Sequence, residues 1–264
     1  MEQTITDISS YRKEMAKSMV DKLFFLNEID DVGLIVDFGC ADGVMLNYIS
    51  DLRPDIQLVG YDISQDMIDL AEKSDIWLDK QKPLFTSKWN RISFIVKDCK
   101  RRGIVTAITL SSVIHEVYSY GDEKSIKEFW ENLFNTGFDY IIVRDMLLSK
   151  KSHHESQLKD VEKIYSSNDP HIQEFESMWG SINDYKNLLH YLLKYRYNKN
   201  WFRELRENYL PITLEDMLSK IPTDSYSYEY YDHYVLPFIE RSVKKEFGIT
   251  LKEPTHIKLI LKRK

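Results

Sequence analysis

The chain has 264 residues, 43% hydrophobic and 30% charged, which suits one large α/β domain with an elaboration rather than two equal domains. The net charge of −6 is uneven: residues 1–150 carry 18 Lys+Arg against 25 Asp+Glu, and residues 151–264 carry 18 against 17. Neither part is the basic body of a general nucleic-acid binder, and no apolar run approaches the ~18 residues of a membrane span.

Residues 1–29 read as a helix, because Tyr11, Met15, Met19, Leu23 and Leu26 fall on one stripe at spacings of three and four. Glu2, Asp7 and Glu14 stand where a secretory leader would be apolar, so the expected localisation is cytoplasmic. Leu34, Ile35 and Val36 then form the apolar run of a strand buried on both faces. Asp37 ends the run, and Gly39, Ala41 and Gly43 follow at every second position, letting the backbone turn sharply toward a ligand with a helix, Val44 to Ser50, behind. A dinucleotide fingerprint would need a third glycine where Val44 stands, and no Gly-Lys-Ser/Thr sequence marks a phosphate loop.

A second strand, Gln57 to Tyr61, ends in Asp62, 23 residues after Gly39 and near the ~20-residue offset of a ribose-binding acid. Ser64 is placed to cap a helix reaching about Lys73. Residues 74–90 read as a long irregular connection, Ile92 to Val96 as the third strand with Asp98 after it, Val105 to Ser112 as the fourth, and Tyr140 to Val143 as the fifth, ending at Arg144-Asp145. Repeated strand–helix units of this kind build a doubly wound parallel sheet whose ligands gather outside the carboxyl ends of the strands. Asp62, Asp98, Ser111 to Glu116 and Arg144-Asp145 all fall at that edge. Cys40 and Cys99 both lie at predicted strand ends and form no disulfide framework.

From residue 151 the pattern turns helical as far as Glu207, with Pro170 and Gly180 as the main breakers and Tyr185, Leu188, Leu189, Leu192 and Leu193 on one stripe. Tyr226, Tyr228 and Tyr230 alternate as in a strand, and Thr255 to Leu261 reads as the last one.

The stretch Val36-Asp37-Phe38-Gly39-Cys40-Ala41-Asp42-Gly43, followed by Val59-Gly60-Tyr61-Asp62-Ile63-Ser64, resembles the first two motifs of class I S-adenosylmethionine-dependent methyltransferases, over roughly residues 30 to 146. The resemblance implies a seven-stranded, mostly parallel Rossmann-like sheet. Residues 1–150 would be its cofactor-binding core, 151–222 a helical cap over substrate inserted after strand five, and 223–264 the closing pair of strands. It also implies a cofactor site at Asp37, Gly39, Cys40, Ala41, Gly43, Asp62, Ile63, Met67, Ser111 and Ser112, with Asp98 reading adenine beside the Cys99 amide. Asp37 would face the methionine amino group and Asp62 the ribose. Tyr11 or Arg12 would close over the cofactor, unless the first helix simply packs on the sheet.

Methyl transfer requires an acceptor held about 3 Å from the methyl carbon, exclusion of water, and removal of any acceptor proton. His115 and Glu116 are the candidates for proton removal, although His115 can equally be a structural residue bonded across its helix turn. The second histidine of a His-Glu-x-x-His zinc motif would fall on Ser119, so no metal is expected. Arg144 and Asp145 either bind an anionic acceptor or form an ion pair at the sheet edge. Three functions follow: a methyltransferase for a small molecule, one for RNA that uses Lys194, Arg196, Lys199, Arg203 and Arg206, or a non-catalytic cofactor-binding subunit.

Overall fold

The computed structural model describes residues 17–264. Tyr11, Arg12 and Met15 of the expected first helix lie outside the described residues; its remainder is a short helix, α1 (Met19–Lys22), and a 3-10 turn over Phe24–Asn27. Seven strands then form one sheet: β1 (Val32–Phe38), β2 (Gln57–Tyr61), β3 (Leu84–Thr86), β4 (Val105–Ser111), β5 (Tyr140–Met146), β6 (Tyr226–Tyr234) and β7 (His256–Arg263). Their spatial order is β3-β2-β1-β4-β5-β7-β6. The first five run parallel, and β7 is antiparallel to both of its neighbours. The order reverses between β1 and β4, which opens the crevice where ligands of doubly wound sheets bind.

Helices cover both faces of the sheet. On one side lie α2 (Val44–Leu52) and α3 (Gln65–Glu72), which share an apolar cluster with Ile35, Ala107 and Ile142. On the other lie α4 (Trp89–Arg101), α5 (Ile114–Tyr120) and α6 (Glu123–Thr136), packed on Leu34, Val36 and Ile108. Ser64 caps α3 as expected, accepting from the Met67 amide.

The third strand is not where the sequence pattern places it. Ile92, Val96 and Cys99 recur at spacings of four and three and face the core from α4, while the strand is the three-residue Leu84-Phe85-Thr86 inside the presumed loop. So short an element has no periodicity of its own to read. Residues Arg144 and Asp145 also lie within β5, registered against Lys258 and Ile257, rather than beyond its end.

After β5 come α7 (Leu158–Ser166), α8 (Ile172–Trp179), α9 (Tyr185–Lys194), α10 (Trp201–Arg206) and α11 (Leu214–Leu218), with α12 (Pro237–Phe247) between β6 and β7. Leu188, Leu189, Leu192 and Leu193 of α9 are buried, and each contributes about 1.5–3 kcal/mol. Their cluster also takes in Ile239, Val243 and Phe247 of α12, whereas Leu214, Met217 and Ile221 pack with the sheet. The helical layer therefore draws on both sides of residue 222.

Candidate active site

The turn after β1 adopts the left-handed backbone that small residues permit: φ is +73° at Gly39, +46° at Ala41 and +82° at Gly43. A side chain on Gly39 would meet the Val113 methyl at 2.7 Å. Asp62 clasps this turn, its Oδ2 accepting from the Ala41 amide (2.9 Å) and its Oδ1 from the Ser64 amide (2.9 Å). Cys40 is buried beneath it, and burial pushes its thiol above the ordinary range. Ile63 is 87% exposed at the strand end, an apolar side chain left open next to the Asp62 carboxylate, with half-buried Met67 one helical turn on. Asp37 is buried; burial raises its carboxyl to about 8 against the opposing charge of Lys22.

At the ends of β4 and β5 a second set converges. Asp145 Oδ2 accepts from the amides of Val113 (3.0 Å), Ile114 (2.7 Å) and His115 (3.3 Å), capping α5. Its Oδ1 lies 2.6 Å from His115 Nδ1, and His115 Nε2 lies 2.9 Å from Glu207 Oε1. Burial alone would discharge the ring, but Asp145 and Glu207 outweigh it and hold His115 protonated, well above the usual histidine range. Both ring nitrogens are therefore donors, and neither offers the lone pair of a base. Burial and the Glu207 charge raise half-buried Glu116 to about 7.

Arg203 closes this group, donating to Glu116 (3.2 Å) and Glu204 (2.9 Å) and pairing with Glu207 (3.2 Å). The Tyr209 hydroxyl donates to Glu204. Lys194 is buried and donates to the carbonyls of Glu204 (2.8 Å) and Glu207 (2.7 Å), with the Tyr209 ring 4.6 Å away, which fixes the turn carrying these carboxylates. Of the five basic residues in 194–206, only Lys199 and Arg206 are exposed. His115, Glu116 and Glu207 place ligand atoms within 4.8 Å of one another and could hold a metal ion; the single positive charge of Arg203 pairs with both carboxylates there.

Arg144 is buried and splits its donors between Asp21 (Nε, 2.8 Å) and Ser112 Oγ (Nη1, 2.9 Å). Ser112 holds a left-handed φ of +58°, and Ser111 Oγ is buried with no hydrogen-bond partner. Ser112, His115, Glu116 and Arg144 thus line one cavity, together with Lys22 of α1 and Arg203, Glu204, Glu207 and Tyr209 of the helical layer.

Two expected residues are elsewhere. Asp98 sits near the end of α4, paired with Arg101 (3.0 Å) and Arg102 (3.6 Å), and Cys99 is buried in the core, so neither stands at a strand end where adenine could be read. The end of β3 carries Ser87, whose hydroxyl donates to Gln65 (2.7 Å), and no acid. Glu207, Glu204 and Tyr209 escaped the sequence reading because their stretch looks like any charged, solvated helix. Lys22 left a trace, a lysine three positions after Met19 and four before Leu26 on the apolar stripe.

The family model of a methyltransferase domain matches residues 10–195. The chain belongs to that family, and the expected class, the S-adenosylmethionine-dependent methyltransferases with a Rossmann-like sheet, is borne out. Among solved structures, the pyocyanin biosynthetic protein PhzM is similar at 12% identity and a TM-score of 0.52, covering 99% of this chain and 60% of its own. PKMT2 from Rickettsia typhi is similar at 13% and 0.51, covering 94% and 52%. The plantazolicin methyltransferase BpumL, solved with SAH, follows at 14% and 0.46, covering 97% and 86%. The chain spans little more than half the length of the first two, and at such identities the likeness speaks for the fold. No curated protein matches the chain in sequence. Among the described residues no helix is long and apolar enough to cross a membrane.

Proposed function

We propose that the chain transfers the methyl group of S-adenosylmethionine to a small-molecule acceptor held between the strand ends and the helical segment 151–222. The observation that carries this reading is the hydrogen-bonded run Asp145–His115–Glu207, which draws a carboxylate of the helical layer into the cavity at the sheet edge. Three of the five basic residues expected to meet RNA are turned inward, which weighs for a small acceptor.

The residues around the glycine turn fit the cofactor. Asp62 keeps a lone pair on each oxygen for ribose hydroxyls beyond the two amides it already binds. Ile63 and Met67 offer an apolar face for adenine, Ser111 Oγ has an unused donor, and Asp37 suits the methionine amino group. Bound there, the cofactor supplies an electrophilic methyl on a sulfonium.

Glu116 is the proton acceptor in this account. It lines the cavity, and a carboxyl raised to about 7 is matched to proton transfer near neutrality. His115, ion-paired on both sides, is a positioning residue that orients Glu207 and, through Asp145, the start of α5. Incubation of the isolated chain with trideuteriomethyl-labelled cofactor and a low-molecular-mass cell extract should yield labelled small molecules; a chain that binds the cofactor but never releases label would be the non-catalytic subunit instead.

A further inference from the structure

The geometry points to a carboxylate site formed by Lys22 and Arg144 in the acceptor cavity, so that the acceptor is an organic acid; this rests on the reading of the cavity as the acceptor site. Both side chains are buried cations, with Lys22 5% and Arg144 4% exposed, and both line the same cavity. Arg144 Nη2 has no hydrogen-bond partner. The neighbouring Tyr234 hydroxyl donates to Asp21 (2.6 Å) and acts on the guanidinium through its oxygen, without coming within hydrogen-bond reach of Nη2. Asp21 cannot neutralise the pair, because it also binds Lys258 (2.7 Å).

Lys22 feels Asp37, Asp145 and Glu116 through their charges, and none of these is hydrogen-bonded to it. Two cations held near each other with an unused buried donor are costly unless an anion joins them. A carboxylate fits this geometry: one oxygen for Nη2 of the planar guanidinium and one for the ammonium. The other carboxylate source at such a site is the methionine end of the cofactor. Of the residues expected to hold the cofactor, Ser112 lines the cavity, whereas Asp37, Gly39, Cys40, Ala41, Gly43 and Asp62 do not, which weighs for the acceptor.

The test uses the full chain labelled with carbon-13 lysine, the Lys22 signal being assigned by its loss in Lys22→Met. Acetate is exchanged for chloride at constant ionic strength, with and without saturating S-adenosylhomocysteine, whose own binding is followed by calorimetry. The expected result is a saturable rise of about one unit in the Lys22 titration midpoint, retained when S-adenosylhomocysteine is bound and absent with chloride. If S-adenosylhomocysteine alone produces the rise and blocks acetate, the carboxylate is the cofactor's and the acceptor assignment is overturned. If neither moves the midpoint, there is no anion site. Failure of S-adenosylhomocysteine to bind would sink the methyltransferase reading by itself, while the acetate titration still decides the site.

Discussion

Nε2 of His115 lies 2.9 Å from Oε1 of Glu207, across 92 positions of sequence. The contact ties the helical layer to the sheet edge, and it explains why two carboxylates can be buried beside one imidazole. Each side of the ring has a negative partner, and Arg203 completes the neutralisation on the Glu207 side.

The first prediction is the pH dependence of this run. The folded pKa of His115 is raised, so its stabilisation is fully present below its ordinary 6.5 and is lost as pH rises through the higher folded value. Asp145 and Glu207 are lowered, since the His115 interactions outweigh burial in both; their stabilisation is present above 3.8 and 4.5 and lost as pH falls through the folded values. The melting temperature should therefore fall toward alkaline pH, and His115→Gln should remove that fall. Glu207→Gln breaks a buried pair and should cost about 3–5 kcal/mol, read by denaturant unfolding at neutral pH; a loss below about 1 kcal/mol would mean that the contact is not a buried ion pair.

The second concerns Asp62. Asp62→Ala releases the Ala41 amide and removes the ribose acceptor together, so S-adenosylhomocysteine binding should weaken tenfold or more, in line with about 1.5–3 kcal/mol for a hydrogen bond to a charged group. Calorimetry showing undiminished affinity would remove the ribose role.

Gly39 gives the third. Gly39→Val places a β-branched side chain at φ +73° and its Cβ 2.7 Å from the Val113 methyl, so the turn must open. Cofactor binding should be lost in a protein that still melts cooperatively; normal binding would contradict the placement of the loop.

The fourth is proton release. Asp37 is raised to about 8 in the unliganded protein, mainly by burial. A cationic amino group bound beside it favours the carboxylate, so cofactor binding should release a proton below about pH 8 and none well above it. Calorimetry at pH 7 in buffers of different ionisation enthalpy measures this directly, and Asp37→Asn should abolish the buffer dependence.

The sequence announced the turn and the sheet because their signals are local: an apolar run, small residues where φ turns positive, and an acid one unit later. Asp37, Gly39, Gly43 and Asp62 were legible for that reason. Asp98 was misplaced because the amphipathic helix Trp89–Arg101 carries a short apolar run, Ile92 to Val96, that mimics a strand, while the true strand has only three residues. The partners of His115 were half legible. Asp145 was visible at the sheet edge, but Glu207 reaches the ring only through the tertiary fold, and nothing in Arg203-Glu204-Leu205-Arg206-Glu207 separates it from a surface helix. The burial of Lys194 and the inward turn of Arg196 and Arg203 are likewise consequences of packing that charge patterning alone reads as solvated.

The most direct measurement is single-turnover methyl transfer by the isolated chain. Trideuteriomethyl-labelled S-adenosylmethionine is mixed with wild-type protein or Glu116→Gln and with separated small-molecule and RNA fractions of cells from the source organism, and label is followed by mass spectrometry. Label is expected in the acidic small-molecule fraction, at a rate at least about 10²-fold lower for Glu116→Gln with unchanged cofactor affinity. Label recovered in RNA, or in small molecules at the same rate for both proteins, would contradict that expectation.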